Sequence, residues 1–234
     1  DEPIVHVDAA GNVWRPKNFG GTFRGPMTIR HALEKSVNMV SIKLTEQLGV
    51  PTIQSYFERC GIPADIPGLS IALGAQEVTV LKQAAAYSIF ANGGIRYDPV
   101  FVTEIFDRDG LQQYDYRDYA KKSKALEPDV AFVMASMLKG VCTPDYGIRE
   151  VPEYMGYYPS GHRSSELKHP HGGKTGTTND SRSVWFCGFT PQYTCIVWVG
   201  YRDNRVLGSG SNYTGGRLAC PIWTNFMIKA HEDL

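Results

Sequence analysis

Hydrophobic residues recur every three or four positions after residue 28, the spacing that places them on one face of a helix. They run from Ile29 to Leu44, with Thr28 as a candidate N-cap. The polar residues Ser36 and Asn38 interrupt this pattern, so we do not expect the helix to be continuous there. Further helices are predicted over residues 52–60, 77–92, 128–138 and 221–231.

Strands are predicted mainly in the last third of the chain. Extended runs at 173–177, 184–189 and 194–201 are joined by turns, and the run of aromatic and β-branched residues at 195–199 has the strongest strand pattern. A shorter strand is predicted at 100–106. Helices followed by clustered antiparallel strands indicate an α+β fold, in which helices flank an antiparallel sheet. We expect 173–177 to be an edge strand beside 184–189.

Composition and charge argue against nucleic acid as a partner and give no sign of a membrane span. The chain has 234 residues, of which 42% are hydrophobic and 21% charged, an ordinary globular balance. A formal net charge of +0 removes the electrostatic basis for binding nucleic acid. No apolar run has the length of a membrane span, and the first residues lack the pattern of a signal peptide. An excised domain of an anchored or secreted protein would show the same features.

Cysteine and histidine spacing gives no indication of a metal site, and no cofactor is expected. The five cysteines lack the spacing of zinc ligands or of a disulfide framework. Cys187 and Cys195 flank a turn and are candidates for a bridge, although small buried thiols are the favoured interpretation. His169 and His171 lie in a predicted long loop at 146–171 with no third ligand, which favours solvated loop histidines.

Two short motifs carry candidate chemistry. The segment from Lys174 to Thr178 reads KTGTT and puts a cation and hydroxyls on one strand, with a glycine that lets a second backbone approach. Such a strand suits an extended peptide that ends in a carboxylate. Ser36 and Asn38 form a Ser-x-Asn motif upstream. Each motif alone is also compatible with a charged edge strand or a solvated polar pair, but their order is that of a penicillin-interacting active site.

The resemblance extends through almost the whole chain. The matching segments, in chain order, are WRPKN (14–18), GPMTIRHALEKSVN (25–38), ALGAQEVT (72–79), AY (86–87), FANGG (90–94), GKTGTTND (173–180), WFCGFTP (185–191), VWVGY (197–201), GG (215–216) and ACPIW (219–223). Together they resemble the transpeptidase domain of class A, bifunctional penicillin-binding proteins. The resemblance implies a β-lactamase/transpeptidase-like fold.

The same resemblance implies a D,D-transpeptidase that cross-links D-Ala-D-Ala stem peptides through a serine acyl-enzyme and that binds β-lactam antibiotics. It implies catalytic roles for Ser36, Asn38 and Lys174. The residues it assigns to substrate binding are Thr175, Gly176, Thr177 and Thr178. Of these, Thr177 is also expected to donate a backbone N–H to the oxyanion hole.

One departure from the family concerns the nucleophile. The family serine belongs to a Ser-x-x-Lys motif that precedes the WRPKN-like segment, and residues 1–35 contain none. Two formal matches, at 136–139 and 165–168, come after Ser36, and we interpret them as a chance pair on a helix and as part of the loop. We therefore expect residues 1–234 to be a C-terminal part of the transpeptidase domain that lacks the N-terminal part. We expect this fragment to be inactive alone.

The resemblance also implies an upstream glycosyltransferase domain and membrane anchor, and so a location on the periplasmic face of the bacterial inner membrane. Ser183 stands where many relatives are acidic, and the loop at 146–171 is longer than usual. Three alternatives remain open: a D,D-carboxypeptidase, a β-lactamase relative, and a catalytically inactive homologue that binds peptidoglycan.

Overall fold

The computed structural model describes residues 1–7, 10–143, 158–232 and 234. Its helices are α1 (Ile29–Glu34), α2 (Asn38–Leu48), α3 (Val50–Arg59), α4 (Val80–Ala91), α5 (Pro128–Cys142) and α6 (Ala219–Ala230). Its strands are β1 (His6–Val7), β2 (Val13–Trp14), β3 (Ile95–Tyr97), β4 (Glu104–Phe106), β5 (Gln112–Asp115), β6 (Lys122–Lys124), β7 (Gly172–Thr177), β8 (Ser183–Phe189) and β9 (Thr194–Gly200). Short 3₁₀ helices lie at Leu69–Leu73, Tyr116–Asp118, His162–Glu166 and Asn179–Ser181.

The largest sheet in the described residues has the strand order β7-β8-β9 and is antiparallel throughout. This confirms the prediction that β7 is an edge strand paired with β8. In this register Lys174 lies opposite Cys187, and Trp185 lies opposite Trp198. Directly opposed residues share a face of the sheet, so the register decides which side chains surround Lys174.

Helices cover both faces of the sheet. On one face α6 supplies Trp223, which is fully buried, and its ring centroid lies 5.0 Å from that of Phe186. The Trp223 indole N–H donates to the Cys195 carbonyl oxygen at 3.0 Å, so the largest core side chain also has its polar atom satisfied. On the other face α4 packs Phe90 against Phe189, with ring centroids 6.2 Å apart.

The helical region after Thr28 is divided at Ser36, as the interrupted pattern indicated. The Thr28 hydroxyl accepts the His31 N–H at 3.2 Å and caps α1, which confirms the predicted start. At the other end the Ser36 and Val37 N–H groups bond back to carbonyl oxygens of α1, at 3.0 and 2.8 Å. This closes α1 and lets α2 begin at Asn38 in a new direction.

Several predicted boundaries are wrong by a few residues. The strand at 100–106 is limited to Glu104–Phe106. The helix predicted from residue 77 begins at Val80, because the Thr79 hydroxyl accepts the Lys82 N–H at 3.3 Å and caps it there. The last helix begins at Ala219, ahead of Pro221. Proline fits the first turn because backbone N–H groups there have no intrahelical partner.

Most of the predicted loop at 146–171 falls on residues 144–157, which lie outside the described residues. Its described remainder includes the 3₁₀ helix at 162–166, so this part is not wholly irregular. All five cysteines are free thiols, and Cys187 pairs with Ile196 rather than with Cys195, which puts the two thiols on opposite faces of the sheet. No helix in the described ranges is long and apolar enough to cross a membrane.

Candidate active site

The two sequence motifs meet in space. The Lys174 amine on β7 donates to the Ser36 hydroxyl oxygen at 2.7 Å, across 138 positions of sequence. The same amine donates to the Thr175 carbonyl oxygen at 2.9 Å, which fixes its direction along the strand edge. The structure therefore places Ser36 and Lys174 within direct hydrogen-bonding distance, the geometry that proton transfer between side chains requires.

Ser36 has an unusual backbone conformation. Its φ is 56°, in the left-handed region where a residue with a Cβ is disfavoured. The position follows the last turn of α1, where glycine is the usual residue because it has no Cβ. An exposed serine here brings a hydroxyl to Lys174 at a cost in local backbone energy, and strain of this kind is concentrated at functional sites.

Burial of the amine lowers the pKa of Lys174 to about 8, and the thiols beside it are those of Cys187 and Cys142. Burial in turn raises the pKa of each of these thiols to about 12, so both are neutral at physiological pH. A lysine with a pKa near 8 can exchange a proton with its partner close to neutral pH, which suits a group that takes part in proton transfer.

Asn38 is the first residue of α2, and its side-chain amide donates to the Lys17 carbonyl oxygen at 2.8 Å. The residue after Lys17 is Asn18, which is buried and accepts the Met39 N–H at 3.3 Å through its side-chain oxygen. Asn18 thus binds one of the N–H groups that have no partner within α2. Sequence reasoning missed this role, although Asn18 belongs to a segment that carried the family resemblance.

The threonines of β7 have different surroundings. The Thr177 hydroxyl accepts the Gly215 N–H at 3.1 Å, across 38 positions of sequence. The Thr178 hydroxyl donates to the Ser183 carbonyl oxygen at 3.1 Å and accepts the Ser183 N–H at 2.9 Å. The Thr178 hydroxyl is thereby engaged in the β7–β8 turn, and its assignment to substrate binding stays a prediction.

Gly215 and Gly216 lie directly against β7. A Cβ at Gly215 would come within 2.5 Å of the Gly176 carbonyl oxygen, and a Cβ at Gly216 within 2.3 Å of the Ser160 carbonyl oxygen. Such separations are shorter than any real contact, so both positions require glycine. The segment borders the strand that carries the site, a role that the sequence pattern did not reveal.

The two later Ser-x-x-Lys matches have other partners. The Ser136 hydroxyl accepts from the Arg30 guanidinium at 3.2 Å, in a contact that joins α1 to α5. The Lys168 amine donates to the Ser165 carbonyl oxygen at 3.3 Å. His171 bonds through Nδ1 to the His169 carbonyl oxygen and through Nε2 to the Ser164 hydroxyl, at 2.8 and 3.0 Å. No group of three metal-ligand side chains is present within the described ranges.

Residues 5–227 match the model of the penicillin-binding protein transpeptidase domain. The chain therefore belongs to this family, and the predicted α+β, transpeptidase-like fold is confirmed. It is 36% identical over 222 residues to penicillin-binding protein 1A of Neisseria gonorrhoeae, covering 93% of this chain and 26% of that protein. It is 34% identical to penicillin-binding protein 1A of Pseudomonas aeruginosa, covering 100% of this chain and 33% of that protein.

Solved structures agree with this assignment. The crystal structure of penicillin-binding protein 1A from Haemophilus influenzae superimposes with a TM-score of 0.87 at 27% identity, covering 100% of this chain and 38% of that one. PonA1 of Mycobacterium tuberculosis, in complex with penicillin V, has a TM-score of 0.78 at 21% identity and shows likeness of fold. The chain thus spans between a quarter and two fifths of the length of these class A relatives and the Haemophilus structure.

Proposed function

We propose that this domain contributes the acyl-transfer site of a peptidoglycan D,D-transpeptidase, which cross-links D-Ala-D-Ala stem peptides and is acylated by β-lactams. The contact of 2.7 Å between Lys174 and Ser36 is the observation that carries the proposal. Membership of the penicillin-binding protein transpeptidase family favours transpeptidation over simple hydrolysis.

The proposed reaction has two steps. A serine hydroxyl gives up its proton within the site as its oxygen attacks the carbonyl carbon of the penultimate D-alanine, and the peptide C–N bond breaks. Ser36 passes a proton to the departing amine, and Lys174 holds and replenishes that proton through their hydrogen bond. The amine of a second stem then displaces the serine oxygen and forms the cross-link, and the proton that the amine loses restores the serine hydroxyl. Asn38 orients the substrate amide with the hydrogen-bonding groups that its contact to Lys17 leaves over.

Substrate is proposed to lie along β7 as an added strand. In the described part of the chain β7 pairs with β8 along one edge, and Thr175 and Thr177 are on this edge strand. Main-chain pairing with an edge strand gives affinity for an extended peptide. We assign the terminal carboxylate to the hydroxyls of these threonines and one oxyanion contact to the Thr177 N–H. Gly176 lets the peptide approach.

We further propose that the attacking serine comes from outside residues 1–234, in a Ser-x-x-Lys segment of the same protein. Ser136 already binds Arg30, and Lys168 binds the backbone of Ser165, so neither pair is directed at Lys174. The whole protein would also carry a glycosyltransferase domain and a membrane anchor, and would act on the periplasmic face of the inner membrane. These wider assignments rest on the class A relatives.

Intact mass spectrometry after incubation with a fluorescent penicillin tests this proposal. The 234-residue chain should gain no stable adduct. The longer protein that includes the upstream segment should gain one adduct per molecule. Peptide mapping should then place the adduct on a serine upstream of residue 1. A stoichiometric adduct on the 234-residue chain that disappears in Ser136→Ala or Ser165→Ala would show that the nucleophile lies within it.

A further inference from the structure

The side chain directly across the sheet from Lys174 is a thiol. Lys174 on β7 pairs with Cys187 on β8, so the two side chains project from the same face. Cys187 is 5% exposed, and its position is fixed from α4. The Gln83 amide donates to its sulfur at 3.9 Å, and the Tyr87 hydroxyl is hydrogen-bonded to the same sulfur. Two side chains of α4 therefore hold Cys187 in place beside Lys174.

The position opposite a lysine on a neighbouring strand is one where a carboxylate can pair with the ammonium. A buried ammonium is costly unless it is paired, and an opposed carboxylate across two strands is the simplest partner. The titratable side chains beside Lys174 are Cys187 of β8 and Cys142 of α5, and Tyr87 of α4 is hydrogen-bonded to Cys187. Both thiols are neutral, and no carboxylate of the described residues acts on the Lys174 charge.

We propose that Cys187 is a positioning residue for Lys174: it occupies the place from which a carboxylate would bind the Lys174 amine, and by staying uncharged it leaves that amine directed at Ser36. The inference rests on the proposed function of the Ser36–Lys174 pair. Its physical content is local, because an anion at this position would compete with the Ser36 hydroxyl, which is uncharged and the weaker acceptor.

Competitive acetylation of the 234-residue chain across a pH series, read out on the Lys174 peptide by mass spectrometry, tests the proposal. Cys187→Asp should raise the Lys174 titration midpoint by about one pH unit or more, because an opposite charge within reach stabilises the ammonium. Cys187→Ser keeps a small neutral side chain and should leave the midpoint where it is. A matched control is Cys195→Asp, which puts the same carboxylate on the opposite face of the same sheet.

A buried aspartate can prevent folding, so a second variant is included. Gln83→Glu preserves shape and brings a carboxylate to the Cys187 sulfur, at the site of the 3.9 Å contact. It should raise the Lys174 midpoint in the same direction by a smaller amount, with the circular dichroism spectrum unchanged. An unchanged midpoint in folded Cys187→Asp, or in Gln83→Glu where the first does not fold, would overturn the proposal. An equal shift in Cys195→Asp would also overturn it.

The labelling experiment needs neither the nucleophile nor the substrate. If the proposed acyl-transfer function is wrong, the longer protein that includes the upstream segment gains no penicillin adduct, and the Lys174 midpoints remain interpretable. Conversely, the longer protein carrying Cys187→Asp could be acylated at the normal rate while its Lys174 midpoint is raised. This result would show that Cys187 sets the charge state of Lys174 but that acylation does not depend on that charge state. That outcome would overturn the assignment of Cys187 as a positioning residue for the reaction.

Discussion

Replacing Ser36 separates the cost of its backbone conformation from the use of its hydroxyl. Both Ser36→Ala and Ser36→Gly remove the hydrogen bond to Lys174, so their difference reports the backbone alone. With φ at 56°, alanine keeps a left-handed cost of roughly 1–2 kcal/mol, which glycine does not have. Glycine loses about 0.5–1 kcal/mol through its freer unfolded chain. The glycine variant should therefore be more stable than the alanine variant by about 1 kcal/mol.

Ser41 provides the matched control because it lies inside α2, where backbone angles are helical. At an ordinary helical position glycine is less stable than alanine by about 1 kcal/mol, so the sign of the difference should reverse between the two sites. Urea unfolding followed by circular dichroism measures both pairs, and about 1 kcal/mol corresponds to a midpoint difference of about 0.3–1 M. If Ser36→Ala is as stable as Ser36→Gly or more stable, the claim of strain at Ser36 is refuted.

Both Ser36 variants should lose function, including Ser36→Gly, the more stable of the two. Both variants lack the hydroxyl that receives the Lys174 proton, so the longer protein carrying either substitution should be acylated slowly. Natural proteins keep locally unfavourable residues where activity depends on them. Fast acylation by Ser36→Gly would show that this hydroxyl is not needed.

Two other changes test the surroundings of the site. Because the folded pKa of Lys174, about 8, is below its usual value of 10.5, the unfolded chain binds more protons between these values. Stability should therefore rise with pH across that window, and Lys174→Met should reduce the rise relative to the exposed control Lys82→Met in urea unfolding. Gly216→Ala should cost about 1–3 kcal/mol, since its Cβ would lie 2.3 Å from a carbonyl oxygen. Gly68→Ala meets no atom within 4 Å and is the control, so equal midpoints would contradict that contact.

Local patterns predicted the elements that carry the site. The sheet of β7, β8 and β9 was visible because β8 and β9 have seven residues each, rich in β-branched and aromatic side chains, and because β7 carries the Lys-Thr-Gly motif. Strands of two or three residues, such as β1 and β3, are too short to give a period and were missed. The break at Ser36 was visible as an interruption of the hydrophobic pattern, but its left-handed backbone was not.

Contacts between distant segments were beyond local patterns. The bond from the Gly215 N–H to the Thr177 hydroxyl joins residues 38 positions apart and depends on how α6 packs on the sheet. The proximity of Ser36 and Lys174 was expected only because the order of the two motifs resembled a known family. The opposition of Cys187 and Lys174 needed the exact strand register, since a shift by one residue would send the thiol to the other face.

The most direct test of the account is the second-order rate constant for acylation by a penicillin of the longer protein that includes the upstream segment. Lys174→Met should lower it by about 10²–10⁴, the usual contribution of proton transfer, and Ser36→Ala should lower it in the same range. Lys168→Met and Ser165→Ala, which alter a Ser-x-x-Lys match directed elsewhere, should leave it unchanged. An unchanged rate in Lys174→Met with the fold intact would contradict the assignment of the Ser36–Lys174 pair as the acyl-transfer centre.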